Sequence, residues 1–292
     1  MIDYDFPLYR PPAEANNIII QATYGCSFNG CTFCSMYKTK KYTVRPLIEL
    51  YEEIDTLCAQ YPEARRVFLA DGDALALETE YLLKVLSYLQ TSFKNLGRVS
   101  VYATAQNLLK KTDEELQSLY EHKLNLLYFG IETGNKTLLE KINKGVDADD
   151  IVQALNKASR AKIKVSATVI LGLGGKEFTA EHIEDTALII NKTCVNYLST
   201  LHLGLDDEIK KNFYKYFNHF QELTDAEVLD EQKRFLRALS PSNKVIFRSN
   251  HASNALHLAG TLPRDTNKLI QEIQLAQESG EGALVPKMFR AF

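Results

Sequence analysis

Three cysteines lie within nine residues of one segment, shortly after an apolar run at Ile18–Ile20. They are Cys26, Cys31 and Cys34, with the spacing C-x4-C-x2-C. Soft thiolates grouped this closely are typical ligands of an iron–sulfur cluster or of zinc. A four-iron cluster normally takes four protein thiolates. A triad with no fourth cysteine nearby therefore predicts a cluster with one iron open to a non-protein ligand, which makes that iron a reaction site.

Two other interpretations of the triad stay open. The same spacing occurs in plant-type [2Fe-2S] ferredoxins, which carry electrons and add a distant fourth cysteine. The two remaining cysteines are Cys58, in a helical apolar stripe, and Cys194, at the start of a strand-like run. Both are expected to be small buried hydrophobic residues rather than ligands. A zinc-stabilised binding protein would also need a fourth ligand, and no His or Cys pair at zinc-finger spacing follows the triad.

Composition narrows the class of protein. The chain has 292 residues and a formal net charge of -3, which suits a globular enzyme and gives no strong electrostatic signal for nucleic acid. The lysine-rich segment 38–41 is short, so it is interpreted as a solvated loop. Because this segment follows the cysteines closely, a phosphorylated substrate remains possible.

The sequence also carries expectations about location. The first residues are acidic and proline-rich, unlike a secretory signal, and no apolar segment is long enough to span a membrane. The five cysteines show no paired disulfide pattern. We therefore expect a cytoplasmic protein with no membrane partner.

Short apolar runs alternate with helical stripes through most of the chain, which is typical of βα units around a parallel sheet. The fold class predicted is α/β: a partial (β/α)6 TIM-type barrel with a C-terminal helical and loop extension. The expected domains are an N-terminal arm (1–15), the barrel (16–205) and an extension covering the barrel (206–292). Six strands are predicted, at 17–23, 67–70, 99–103, 126–131, 164–171 and 195–202. Helices are predicted at 206–220, 224–239 and 267–278, with capping boxes at Thr112-x-x-Glu115 and Thr224-x-x-Glu227.

The cysteine loop after the first strand resembles the cluster loop of the radical S-adenosylmethionine (SAM) superfamily. In that superfamily an aromatic residue commonly precedes the last cysteine, and Phe33 occupies this position. The usual spacing has three residues between the first two cysteines, whereas this chain has four. The resemblance thus indicates a subgroup with a C-x4-C-x2-C loop, and it implies a [4Fe-4S] cluster and SAM as cofactors.

The resemblance also implies cofactor-binding residues in the later loops. Gly72 and Asp73, after the second strand, resemble the Gly-Gly-Glu element that meets the SAM amino group, although a βα turn with an aspartate helix cap is the alternative. Glu132, after the fourth strand, resembles a residue that contacts the SAM ribose or carboxylate; alternatively, it pairs with a lysine. Lys144 matches a basic position near the SAM carboxylate. Gly172, after the fifth strand, resembles a glycine that borders the adenine.

The segment after the predicted strand at 245–248 is rich in hydrogen-bonding side chains. Arg248, Asn250, His251 and Asn254 are predicted to line the substrate side, because polar loops of this kind commonly contact ligands. Turn formation with an exposed His251 is the alternative. His202, at the end of the sixth strand, is a lesser candidate.

The activity implied by the resemblance is reductive cleavage of SAM at the cluster to a 5'-deoxyadenosyl radical, which abstracts hydrogen from an unidentified substrate. The implied partners are that substrate and an electron donor such as a flavodoxin or ferredoxin. An electron-transfer protein with a [2Fe-2S] cluster and a zinc-stabilised binding protein remain the rival functions.

Overall fold

The computed structural model describes residues 2–291. Its strands, numbered along the chain, are β1 (Ile18–Gln21), β2 (Thr23–Tyr24), β3 (Thr43–Val44), β4 (Arg66–Ala70), β5 (Arg98–Ala103), β6 (Leu124–Glu132), β7 (Lys164–Leu171), β8 (Tyr197–His202), β9 (Val245–Ser249) and β10 (Leu258–Leu262). The main sheet has eight strands in the order β1-β4-β5-β6-β7-β8-β9-β10, and β2 pairs with β3 separately.

Helices connect the strands of the main sheet. They are α1 (Leu47–Gln60), α2 (Thr79–Ser92), α3 (Ala105–Lys110), α4 (Asp113–Glu121), α5 (Lys136–Lys141), α6 (Ala148–Arg160), α7 (Gly175–Asn191), α8 (Asp207–Tyr214), α9 (Asp225–Ala238) and α10 (Thr266–Ser279). Both predicted capping boxes are present at the starts of α4 and α9, where Thr112 and Thr224 each accept from the third helical N–H. Each box satisfies N–H groups that the helix itself leaves unpaired.

The first compact unit comprises the chain up to Asn29, Cys34–Phe129 and Asn156–Val165. Within it, β1 pairs with β4 and β4 with β5, all parallel, and the β4 residues Val67, Phe68 and Leu69 are fully buried. Parallel strands buried on both faces are expected to be apolar in this way.

The second compact unit comprises Gly30–Phe33, Gly130–Leu155 and the described chain from Ser166 onward. Here β7 pairs with β8 and β8 with β9 in parallel, while β10 runs antiparallel to β9. A buried apolar cluster includes Leu138, Ile142, Ile170, Leu173, Phe213 and Phe217. The polar stripe of α8 faces away from this cluster, since its apolar residues Ile209 and Phe213 are the buried ones.

The predicted α/β architecture is confirmed. The predicted strand at 164–171 has the observed bounds, and the other predicted barrel strands differ by up to two residues at either end. The C-terminal segment supplies more strand than expected, because β10 follows β9 and closes the sheet edge as an antiparallel hairpin. Between residues 2 and 291, no helix combines the length and the apolar character needed to cross a membrane.

Candidate functional site

The residues predicted to carry chemistry follow the carboxyl ends of successive parallel strands. The cysteine segment comes after β1, Gly72 and Asp73 after β4, Glu132 at the end of β6, and Gly172 directly after β7. In barrels built from βα units, the loops at this end of the strands are the ones that form active sites. The topology therefore gives each predicted group a suitable position in its own strand and loop.

Asp71 anchors the start of the cysteine segment. Its carboxylate accepts from the Gly25 N–H at 3.0 Å, from Lys40 Nζ at 3.0 Å and from Gln21 Nε2 at 3.3 Å. Burial raises the pKa of Asp71, and the Lys40 ammonium and the other donors act in the opposite direction. Three groups from residues 21–40 thus donate to one buried carboxylate, which fixes the chain just before Cys26.

Asp73 holds the next turn of the same segment. Its Oδ1 accepts from the Ser27 N–H at 2.8 Å, and its Oδ2 accepts from the Ser27 hydroxyl and from Asn107 Nδ2 at 3.0 Å. The Cys26 thiol also contacts this carboxylate. Asp73 does not cap the short helical turn that follows it, so the alternative helix-cap role is not what its side chain does. Burial raises the pKa of Asp73, and the hydrogen bonds from Ser27 partly offset this rise.

Gly72 lies where no side chain fits. A Cβ atom there would lie 2.7 Å from the Cys26 Cβ and 2.9 Å from the Tyr37 ring, closer than Cβ contacts occur in proteins. Tyr37 is itself buried, so its ring has no room to move away. The predicted Gly72 is therefore needed for the close approach of the β4 loop to the first cysteine.

The middle of the cysteine segment belongs to the second unit. The Thr32 N–H donates to the Ile142 carbonyl at 2.9 Å, and Asn143 Nδ2 donates to the Gly30 carbonyl at 2.9 Å. Phe33 packs against the apolar cluster of that unit, and its ring centroid is 6.0 Å from Lys144 Nζ. The stretch flanking Cys31 is thus held by the turn after α5.

Glu132 and Lys144, predicted separately, form one ion pair. Glu132 Oε1 and Lys144 Nζ are 3.0 Å apart, and both side chains are about one-tenth exposed. Glu132 has a φ of +61°, a left-handed conformation that costs energy in a residue other than glycine. The ion pair with a lysine, which was the alternative prediction for Glu132, is present.

Gly172 also has a left-handed backbone, with a φ of +77°. Its N–H donates to Glu231 Oε2 at 2.5 Å, and Glu231 Oε1 accepts from the Thr179 hydroxyl at 2.8 Å. Glu231 is fully buried, and this burial raises its pKa to about 7. The predicted cofactor-binding turn after β7 is therefore supported from beneath by a buried acid.

His202 ends β8 beside this turn, with its ring about 3.6 Å from the position of a Cβ on Gly172. Its Nδ1 is buried and has no hydrogen-bond partner among residues 2–291. Burial lowers the pKa of His202, so the ring is neutral near pH 7. The His202 N–H donates to the Ser253 hydroxyl at 3.1 Å, which links β8 to the loop after β9.

The four predicted substrate residues divide into two pairs. Asn254 is buried and donates to the Thr200 carbonyl at 2.8 Å, and half-buried His251 contacts the Ser253 hydroxyl through Nδ1 at 2.9 Å. Arg248 and Asn250 are exposed. Arg248 donates to the Phe247 carbonyl at 2.7 Å. The Asn254 side chain thus shapes the loop, and Arg248 and Asn250 are accessible to a ligand. His251 is half-buried, whereas the alternative interpretation expected it to be exposed.

The remaining cysteines behave differently from one another. Cys58 lies in α1, partly buried, and its thiol contacts the Ser92 carbonyl at 3.0 Å. The interpretation of Cys194 as a buried strand residue was wrong, because it is exposed in the connection before β8. Across residues 2–291, no three His, Cys, Asp or Glu side chains form a ready-made metal cage. The assignment of the triad as cluster ligands accordingly stays a prediction.

Sequence reasoning missed Glu231, Asn107 and the anchoring role of Asp71. Glu231 carried a readable signal, because it falls on the buried face of α9 together with Val228 and Phe235. A carboxylate at an apolar helix position needs a hydrogen-bonding partner. Asn107 gave no such signal, since its partner Asp73 is distant in sequence.

Comparison with known proteins shows the family of this chain. The Radical SAM superfamily profile matches residues 20–190. Heme chaperone HemW of Bacillus subtilis is 28% identical over 134 residues, which is 44% of this chain and 35% of that protein. An uncharacterized methyltransferase of Pyrococcus horikoshii is 24% identical over 182 residues, 61% of this chain and 38% of the relative. The chain thus spans little more than a third of the length of these two relatives.

Solved structures show the same fold. Coproporphyrinogen III oxidase (HemN) from Escherichia coli superposes with a TM-score of 0.56 at 15% identity, covering 76% of this chain and 51% of the other. Methylornithine synthase (PylB) gives a TM-score of 0.54 at 15% identity, covering 76% and 63%. At these identities the likeness concerns the fold alone. With the profile matching more than half of its length, the chain belongs to the radical SAM superfamily, whose cofactors are a [4Fe-4S] cluster and S-adenosylmethionine.

Proposed function

We propose that this protein is an enzyme that cleaves SAM reductively and uses the product to remove a hydrogen atom from a substrate. The observation that carries the proposal is how the loop after β4 holds the start of the cysteine segment. Asp71 and Asp73 of this loop accept hydrogen bonds from Gly25 and Ser27, on either side of Cys26. Gly72 lies so close to Cys26 that a side chain at position 72 would not fit. A loop fastened at this density is suited to presenting thiolates in one fixed arrangement.

The donor set fits the cofactors of the superfamily. Cys26, Cys31 and Cys34 would supply three thiolates to a [4Fe-4S] cluster and leave its fourth iron for SAM. When bound, the pair of cofactors supplies a 5'-deoxyadenosyl radical. The rest of the chemistry that the chain contributes is binding, orientation and exclusion of water.

Within the first unit, Gly72 would allow the backbone after β4 to approach the SAM amino group. Asp73 acts by positioning, because its carboxylate already accepts from Ser27 and Asn107. This assignment revises the expectation that Asp73 meets SAM directly, and it makes Asp73 a support for the turn that carries Cys26.

Within the second unit, the Glu132 and Lys144 pair would orient the polar groups of SAM. Lys144 has a charge that suits a carboxylate, and Glu132 can accept from ribose hydroxyls. Phe33 and Gly172 would flank the adenine, the former through its ring and the latter because its backbone is open to close approach. The buried Glu231 beneath Gly172 would keep that turn in its left-handed conformation.

The substrate would meet the loop that follows β9. Arg248 and Asn250 are the exposed members of the predicted set, and half-buried His251 is held by Ser253. An electron donor such as a flavodoxin or ferredoxin would reduce the cluster. The substrate does not follow from the relatives, since their names describe different activities.

The test is anaerobic reconstitution with iron and sulfide, followed by addition of SAM and dithionite and measurement of 5'-deoxyadenosine. The wild-type chain should form it, and Cys26→Ala, Cys31→Ala and Cys34→Ala should each lose both iron and product. Cys58→Ala and Cys194→Ala are the matched controls and should retain both. Loss of iron in Cys58→Ala would instead support the ferredoxin-type site, and zinc in place of iron would support the binding protein.

A further inference from the structure

A charged cavity of about 490 Å³ lies between the first turns of α7 and the length of α9, both in the second unit. It is lined by Lys176, Thr179, Leu223, Glu227, Asp230, Lys233, Arg234 and Arg237. Four of these side chains are cationic and two are carboxylates, so the lining has a net charge of +2 against -3 for the whole chain. The cavity plays no part in the proposed SAM chemistry.

The charges of the lining are not balanced evenly. Lys176 pairs with Glu227 at 2.7 Å, and Lys233 pairs with Asp230 at 2.8 Å. Neither Arg234 nor Arg237 has a carboxylate within ion-pair distance in the described part of the chain. The two lysines thus neutralise the two acids, and the surplus positive charge belongs to the two arginines.

Arg234 is held in a defined orientation. Its Nη2 donates to the Thr179 hydroxyl at 3.0 Å, and that hydroxyl donates in turn to buried Glu231 at 2.8 Å. Because Glu231 also accepts from the Gly172 N–H, this chain of bonds is anchored in the protein interior. A guanidinium fixed in this way loses less conformational entropy when it binds an anion.

The two arginines suit a phosphate group. Residues three apart on a helix lie on the same face, so Arg234 and Arg237 project from neighbouring turns of α9. Guanidinium groups bind phosphate oxygens bidentately and are preferred where planar recognition is required. The surplus positive charge of the lining also favours an anion such as phosphate.

The volume of the cavity leaves room for more than a phosphate ion. Cavities of about 300 to 1,000 Å³ are typical of small-molecule sites. At about 490 Å³, this cavity is large enough for a phosphate carrying a small organic group. Leu223 provides an apolar surface for such a group on the same lining.

We propose that the cavity between α7 and α9 binds a small phosphate monoester, with Arg234 and Arg237 gripping the phosphate and Thr179 orienting Arg234. None of the residues that line this cavity is among those assigned to the cluster or to SAM.

Isothermal titration calorimetry of the reconstituted protein tests the proposal, with ribose 5-phosphate, glycerol 3-phosphate and inorganic phosphate as probes. We expect saturable binding of one equivalent, tighter for the two esters than for inorganic phosphate. The double variant Arg234→Gln, Arg237→Gln should weaken ester binding at least tenfold. The matched control is Arg65→Gln, Arg66→Gln, which removes two adjacent exposed arginines at the start of β4 and should bind as the wild type does.

The contrary results are distinct. Absence of saturable binding by all three probes up to millimolar concentration would overturn the site, as would equal loss in the control variant, which would indicate a general charge effect. Equal affinity for esters and inorganic phosphate would overturn the choice of a monoester. Both pairs of arginines are exposed, so unchanged circular dichroism is expected in each variant and confirms that binding, not folding, is being measured.

Discussion

Glu231 should make the stability of this protein depend on pH, and Glu231→Gln should remove that dependence. The carboxyl group is fully buried beneath Gly172, and burial raises its pKa from 4.5 to about 7. The unfolded chain releases the proton near pH 4.5, whereas the folded chain keeps it until about pH 7. Between these values the folded state binds more protons than the unfolded state, so folding stability falls as pH rises.

The magnitude follows from the size of the shift. A displacement of about 2.5 pKa units at about 1.4 kcal/mol each corresponds to about 3 kcal/mol over the full titration. About 2 kcal/mol of this falls between about pH 5.5 and pH 8.5. For a chain of this length, such a change moves the midpoint of thermal unfolding by roughly 3 °C.

Differential scanning calorimetry at several pH values provides the measurement. The Tm of Glu231→Gln minus that of the wild type should increase by about 3 °C from pH 5.5 to pH 8.5. Glu227→Gln, one turn earlier on α9, is the control: its pKa is lowered to about 2 by Lys176, so both its folded and unfolded titrations lie below this range. Its difference from the wild type should stay flat. A flat difference for Glu231→Gln as well would refute the assignment of Glu231 as a buried acid that titrates near neutrality.

Three further predictions concern other sites. Gly72→Ala should reduce cluster incorporation, because the added Cβ would lie 2.7 Å from the Cys26 Cβ, whereas Gly97→Ala meets only a carbonyl at 3.7 Å and should keep full iron content; equal iron in both variants would contradict the close approach. Glu14 Oε1 accepts hydrogen bonds from Arg98, Ser100 and Tyr128 in the interior. Because an uncompensated buried charge typically costs about 3 to 5 kcal/mol, Glu14→Ala should lower the free energy of unfolding by about 3 kcal/mol or more in calorimetry. A Tm within 1 °C of that of the wild type would contradict this expectation. His251→Ala should leave SAM cleavage without substrate nearly unchanged and slow turnover of the true substrate about a hundredfold, whereas loss of SAM binding would place the loop at the cofactor.

Most of the fold was predictable because its signals are local. The barrel strands are apolar runs bounded by loops, and the capping boxes at Thr112 and Thr224 specify where α4 and α9 begin. The hairpin strand β10 was missed because Leu258–Leu262 contains alanine, glycine and threonine among its five residues and reads as a continuation of the polar loop. Its strand character comes from pairing with β9, which no local pattern encodes.

Among the site residues, positions could also be predicted locally, whereas contacts between distant segments could not. Gly72, Glu132 and Gly172 were predicted from their positions after strands and from the resemblance to family motifs, and their role at the cofactor stays a prediction. That Asp73 accepts from Ser27 and Asn107 depends on contacts between segments far apart in sequence. Pairing of Glu132 with a lysine was predicted as an alternative, but its partner Lys144 was predicted separately. Cys194 shows the converse error: a strand-like composition around it suggested burial, but the strand begins only at Tyr197.

The central claim is that the triad Cys26, Cys31 and Cys34 holds a [4Fe-4S] cluster with one iron available to SAM. Electron paramagnetic resonance of the reconstituted protein, reduced anaerobically with dithionite, tests it most directly. We predict the signal of a reduced four-iron cluster whose g values shift when SAM is added, because SAM would bind the fourth iron. A two-iron signal, or a four-iron signal that SAM leaves unchanged, would contradict the claim.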